Sequence, residues 1–211
     1  MTSIAGLALA SAGSLILMGI ITGEALYPAA YTTFGNEISD LGATRPPDSI
    51  SLEPSATIFN VTMIVTGLLV IVAGSLLAAT KARRFLTIAV ILNGVGILGV
   101  GVFPGNFGSI HPVFAATAFI AGGLCGIASS RATTGALRWF TLSLGVVALV
   151  SLAYIVFGGI DAPITRDLGD GGAERWVAYP VTLWQVVFGG ALMSQSNLGL
   201  LRSPGAATAS T

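Results

Sequence analysis

A chain of 211 residues that is 54% hydrophobic and only 9% charged cannot cover itself with a water-compatible surface, because soluble domains carry roughly 25% charged residues. Its formal charge is zero, with nine basic and nine acidic residues, which excludes a nucleic-acid partner recruited by bulk basicity. The single cysteine, Cys125, excludes an intrachain disulfide framework and any cysteine-rich metal cluster.

With about 20 apolar residues needed per membrane crossing, the length suits five or six helices with short connections, and the apolar runs count six. The expected fold is therefore all-α, a polytopic bundle of six transmembrane helices. Helix one is expected over Ser3 to Gly23, closing at Glu24. The segment before it lacks the basic region of a secretory signal, so it reads as a retained helix. A polar connection then reaches Pro54 and contains Glu37-Ile-Ser-Asp-Leu-Gly-Ala-Thr-Arg45. There Ser39 and Asp40 can cap a helical turn, and Gly42 can end it with a positive φ. Such irregular backbone survives at membrane depth only against protein or water, which places this segment over the mouth of the bundle.

Helix two is expected over Ala56 to Ala79, stopping at Lys81-Ala-Arg-Arg84, and helix three over Phe85 to Phe103. Helix four starts near His111-Pro112 and reaches Ser129, with Ser109 or its loop capping the free N–H groups. Helix five spans Leu137 to Phe157. An acidic connection, Gly159 to Gly172, leads into helix six, Glu174 to Gln195. Residues 1–197 thus form one transmembrane domain, and residues 198–211, small and polar, a flexible cytoplasmic tail.

Once the helices alternate, the charges sort by side. One face receives Lys81, Arg83, Arg84, Arg131, Arg138 and Arg202 without an acidic residue; the other receives all nine acids with Arg45, Arg166 and Arg175. The positive-inside rule makes the first face cytoplasmic, with both termini, and the long loop external, in the plasma membrane. The glycines cluster inside helices, where small residues allow close packing. Gly94-x-Gly96-x-x-Gly99 spells a dinucleotide fingerprint, but no strand precedes it and it sits mid-membrane.

The candidate site residues all fall on the acidic side: Glu24, Asp40, His111, Glu174 and Arg175. Charges at membrane depth are costly and should be paired, hydrated or turned to a cavity. The plainer expectation has Glu174 supporting a helix N-terminus and Arg175 snorkelling to the headgroups; if helices one and six are neighbours, Arg175 can instead pair with Glu24 or Asp40. His111, the only histidine, stands where a glycine-containing loop enters a helix N-terminus, a place suited to an anion. A neutral imidazole there can act as a base or simply orient the loop. Asp40 and His111 are the candidates for any catalysis. One histidine falls short of a hydrolytic zinc site, so no metal and no cofactor are expected.

Ile38-Ser-Asp-Leu-Gly-Ala43, Pro54, Ile58-Phe-Asn60, Gly101-x-Phe103, His111-x-x-x-Ala115-x-x-x-Phe119, Gly172-Ala-Glu-Arg175, Tyr179-Pro180 and Trp184 resemble a family of uncharacterised prokaryotic six-helix membrane proteins, a domain of unknown function. More distantly the pattern is similar to the Frag/DRAM/Sfk family, linked to lipid-anchor remodelling, autophagy and phospholipid distribution. It also resembles in outline the hydrolases related to alkaline ceramidases, which use several histidines where this chain has only His111. The resemblance implies six helices and a lipid-related role.

The expected function is an outward-facing polar pocket that recognises the headgroup of a membrane lipid or another small amphiphile. Arg175 and the helix-four N-terminus would hold an anionic group, and Asp40 and His111 would orient a hydroxyl. The rival is a non-catalytic accessory subunit whose outer cluster locks loops to the bundle, its glycine-rich faces meeting a membrane-protein partner or a second copy. A transporter ranks third, since no inverted repeat and no mid-depth charge are evident.

Overall fold

The computed structural model describes residues 1–159 and 162–194. Six helices in this range are long and apolar enough to cross a membrane, and the chain is a multi-pass integral membrane protein. They are α1 Thr2–Ala25, α2 Ser55–Ala79, α3 Arg84–Val102, α4 Ile110–Ser130, α5 Gly135–Gly158 and α6 Pro163–Ser194. Five of the six agree with the sequence reading to within about two residues at each end, the ordinary uncertainty of a helix boundary. The tail from residue 198, Arg202 and Asp161 lie outside the described residues.

Helices adjacent in sequence pack side by side, and α6 returns against α1, so the bundle closes into a ring. The seams are made where glycine lets two backbones meet. A Cβ at Gly6 would stand 2.5 Å from the Gly189 carbonyl oxygen, and one at Gly126 would stand 2.7 Å from the Gly145 Cα. The glycines of the apparent dinucleotide fingerprint serve the same end. A Cβ at Gly96 would lie 2.3 Å from the Ala118 nitrogen, and one at Gly99 would run into the Phe114 ring at 2.0 Å. Small residues at helix seams supply van der Waals contact that hydrophobicity cannot supply between spans in lipid.

The core runs down the ring's axis. Trp184, Phe59 and Phe188 are its largest fully buried side chains. Trp184 stacks on Phe188 at 5.4 Å and donates its indole N–H to the Ser129 hydroxyl at 2.8 Å, tying α6 to α4. Cys125 is fully buried, as its apolar neighbours predict.

The sixth helix departs from expectation. It starts at Pro163, and the acidic connection expected as far as Gly172 is largely helical, broken at Gly169, whose φ of 72° leaves the helical region. Proline at a first helical position needs no donor, and glycine alone takes the positive φ without penalty. The break seats the long loop, because a Cβ at Gly169 or Gly171 would lie 2.0 Å from the carbonyl oxygens of Phe34 and Asn36 respectively. Gly171 also donates its N–H to Phe34 at 3.1 Å. The sequence Gly169-Asp-Gly-Gly172 is thus a backbone platform for the loop.

Candidate functional site

The loop between α1 and α2 folds into a 3-10 turn, Ile38–Leu41, that contacts α1, α2 and α6. Glu37 and Asp40 cap it reciprocally, and Asp40 Oδ2 accepts the Glu37 N–H at 3.0 Å and an N–H of Asn36 at 3.4 Å. Each oxygen therefore satisfies a donor that the turn leaves open. Gly42 follows with φ −85°, an ordinary helical value, so the positive φ expected there is absent. What requires glycine is space: a Cβ would lie 2.3 Å from Asn60 Oδ1. The hydroxyls of Ser51 and Ser55 donate to the carbonyls of Gly42 and Leu41, fastening the turn to the start of α2.

Arg175 fastens it to α6. The side chain is almost wholly buried. Nη1 donates to the carbonyls of Gly171, Asn36 and Thr33 at 2.8, 3.0 and 3.3 Å, and Nη2 to Glu24 Oε1 at 2.6 Å and the Tyr31 hydroxyl at 2.9 Å. Tyr31 in turn donates to the Glu37 carbonyl at 3.0 Å. A planar fork with fixed donors can join α1, the loop and α6 in this way, whereas a lysine ammonium could not. The pairing with Glu24 is present, and the guanidinium faces this network rather than a ligand. Only Nε lacks a partner. The exposed Arg45 forms a separate ion pair with Glu37.

Beneath the loop lies a cavity of about 80 Å³, lined by residues of α1, α2, α3, α4, α6 and the 3-10 turn and by none of α5. A single water needs roughly 10–15 Å³ on this measure, so there is room for several waters or one slim chain. Its upper end holds Ser39, His111 and Glu174; its walls are apolar, among them Ile16, Ile20, Phe59 and Ile97. His111 is 2% exposed and its Nδ1 lies 2.8 Å from the Phe103 carbonyl. A carbonyl only accepts, so Nδ1 carries a proton; Nε2, which holds a lone pair when the ring is neutral, has no protein partner among the described residues. Glu174 accepts the Ile38 N–H with one oxygen; its other oxygen has no protein partner among the described residues. Ser109 makes no side-chain cap to α4, contrary to expectation.

The five expected site residues therefore split. His111 and Glu174 line the cavity, Glu24 and Arg175 form the loop's anchor, and Asp40 spends its carboxylate on the turn. Asp40 and His111 are close enough to interact electrostatically but share no hydrogen bond. Burial pushes the carboxyl groups of Glu37 and Asp40 above the usual range. Arg45 draws Glu37 back, and Asn36, the Glu37 N–H, Arg45 and His111 draw Asp40 back. Burial likewise pushes the Tyr31 phenol far up, against the pull of Arg175, so it keeps its proton for Glu37.

Two lining residues escaped the sequence reading. Asn93 and Gln185, both without solvent exposure, meet at the cavity's inner end. The reading weighed charges at mid-depth and passed over neutral amides, although an Asn or Gln inside an apolar span is itself a signal.

Compared with known proteins, residues 10–191 match a family described as a protein of unknown function, DUF998. No curated protein matches the chain. No solved structure does. The match covers nearly the whole bundle, from α1 to the last turn of α6, and the chain belongs to this family of membrane proteins of unknown function.

Proposed function

We propose that the protein binds a lipid or other small amphiphile in the axial cavity, its polar head beneath the loop and its chain between the helices. One observation carries this reading: an apolar cavity ends at a cluster of polar groups, Ser39, His111 and Glu174. Of these, Glu174 spends one oxygen on Ile38 and His111 one nitrogen on Phe103, leaving His111 Nε2 and the second Glu174 oxygen without a protein partner among the described residues. Binding sites of this kind combine apolar walls with a few convergent polar groups.

The head chemistry follows from the charges. Among the described residues no Arg or Lys lines the cavity, and both Nη groups of Arg175 are committed to the loop and its anchor on α1 and α6. With no cation to neutralise it, the anionic headgroup expected from the sequence fits poorly, and the free Glu174 oxygen and the imidazole Nε2 suit a head that can hydrogen-bond without carrying negative charge, a hydroxyl or an amine. The loop end is read as extracytoplasmic in the plasma membrane, with Lys81, Arg83, Arg84, Arg131 and Arg138 and both termini cytoplasmic.

Native mass spectrometry of protein released from lipid nanodiscs tests the proposal. Wild type is expected to retain an amphiphile that His111→Asn and Glu174→Gln lose while unfolding at similar temperatures, since each keeps a group that can make the hydrogen bond to Phe103 or Ile38. Equal occupancy in all three proteins would refute it. The accessory-subunit reading draws support from the saturated Arg175 network, which locks the loop as that reading requires. A stoichiometric membrane-protein partner in the same preparation, with the cavity empty, would favour it.

A further inference from the structure

The inner end of the cavity carries chemistry that headgroup recognition does not use. Asn93 on α3 donates from Nδ2 to the Ala118 carbonyl of α4 at 2.8 Å. A backbone carbonyl cannot donate, so this contact fixes which end of the Asn93 amide is nitrogen and turns Oδ1 toward α6. There Gln185 donates from Nε2 to Asn93 Oδ1 at 3.0 Å. The chain of amides thus has one direction, and its last atom is Gln185 Oε1. That oxygen is buried and has no partner among the described residues. Thr182, one turn away and also lining the cavity, already donates to the Ala178 carbonyl at 2.9 Å.

This arrangement is accommodated by the neighbouring helices. A Cβ at Gly122 would lie 2.9 Å from Asn93 Nδ2, so glycine makes the room the amide occupies. Ile16, Ile97 and Val181 line the same cavity. A polar group buried among such residues is normally satisfied, and here the acceptor belongs to a residue lining the space that the ligand's chain would fill.

Resting on the ligand-binding reading above, we propose that Asn93 and Gln185 form a second polar station, which takes a hydroxyl or N–H carried on the hydrocarbon chain of the bound amphiphile. Glu174 and Gln185 stand eleven positions apart on α6, and at about 1.5 Å per residue the two stations are roughly 16 Å apart. The ligand class is therefore a single-chain amphiphile with a donor at its head and a second donor about that far along. Spread over this depth, about 80 Å³ is a bore roughly one hydrocarbon chain wide.

The test compares dodecanol with the dodecane diol that has a hydroxyl at each end, binding to the full chain in nanodiscs. Relative to the double variant Asn93→Leu/Gln185→Met, wild type is expected to favour the diol over dodecanol by roughly tenfold, the effect of one net hydrogen bond. The variant removes both partners of the amide pair, which avoids stranding either. The same diol-to-dodecanol ratio in both proteins overturns the second station while leaving the binding reading intact; failure of both probes to bind wild type overturns both.

Should the double variant not fold, the wild type suffices. The chain has two glutamines, Gln185 and Gln195, so carbon-13 labelling of glutamine isolates their side-chain carbonyls in the infrared. The diol is expected to shift one band and dodecanol none. No shift with the diol refutes the station.

Discussion

Replacing Arg175 with Met should free the loop without unfolding the bundle. The substitution keeps most of the buried stem and removes five hydrogen bonds, two of them from Nη2 to Glu24 and Tyr31 and three from Nη1 to backbone carbonyls. Breaking a buried ion pair by deleting one partner costs about 3–5 kcal/mol. The Glu24 side chain is 24% exposed, so water moderates its loss and the lower end applies. Bonds to the Thr33 and Asn36 carbonyls add about 1 kcal/mol each, recovered in part once water reaches the lifted loop. A net cost of about 3 kcal/mol lowers the free energy of local opening and speeds amide exchange roughly a hundredfold. The change should be confined to residues 31–42, because the α1–α6 seam through Gly6 and Gly189 does not involve Arg175. Hydrogen exchange read by mass spectrometry decides the matter, with Arg45→Ala as control; that pair is exposed and worth about 0–1 kcal/mol. Unchanged exchange over the loop in Arg175→Met, or an equal acceleration throughout the helices, would refute the assignment of Arg175 as the loop's anchor.

The platform in α6 makes a second prediction. Gly171→Ala places a methyl group against the Asn36 carbonyl and should destabilise the protein by about 2 kcal/mol or more. Gly190→Ala, where a Cβ meets nothing within 4 Å, should be neutral or stabilise the helix by up to about 1 kcal/mol; thermal unfolding of the pair is the check. The loop should also respond to pH. Burial raises Glu37 and Asp40 above their unfolded values, so the folded loop binds protons more tightly. Its stability should therefore fall as pH rises from about 4 through the raised values, then level off. Asp40→Asn keeps an acceptor for the Glu37 N–H and removes one titration, so loop exchange measured from mild acid to neutrality should depend less on pH than in wild type. An unchanged profile would show that Asp40 does not contribute to the response.

Helix number and the ends of the first five helices were legible because they depend on composition and spacing along one segment at a time. A run such as α2 is apolar enough to be read directly, and Lys81 to Arg84 marks its end without knowledge of any other helix. The pairing of Glu24 with Arg175 was legible only as one of several options, because Asp40 and the headgroup region offered the guanidinium other ways of being satisfied. What failed needed the third dimension. Gly42 and Gly169 look alike in sequence, yet the first is required by the closeness of Asn60 and the second by a positive φ. The helix beginning at Pro163 was hidden by Gly and Asp residues that argue for a loop, because their partner, the carbonyls at Phe34 and Asn36, lies far away in sequence. The amide pair of Asn93 and Gln185 is separated by 92 positions, and nothing local distinguishes it from two unrelated polar residues.

The division of the polar residues into two sets gives the site its testable shape. Glu24, Tyr31, Asp40 and Arg175 spend their hydrogen bonds on the loop and its anchor, so their removal should appear as lost stability whatever ligand is offered. Glu174 and His111 each spend one interaction on the fold, through Ile38 and Phe103, and keep one atom free toward the cavity. Substitutions that preserve the structural half, such as Glu174→Gln, should separate the two quantities: ligand occupancy falls while the unfolding temperature holds. If every member of both sets instead moved stability and occupancy in proportion, the cavity would be a packing defect beneath a well-fastened loop. An occupied cavity predicts the opposite: the second set should shift ligand retention with little effect on loop exchange.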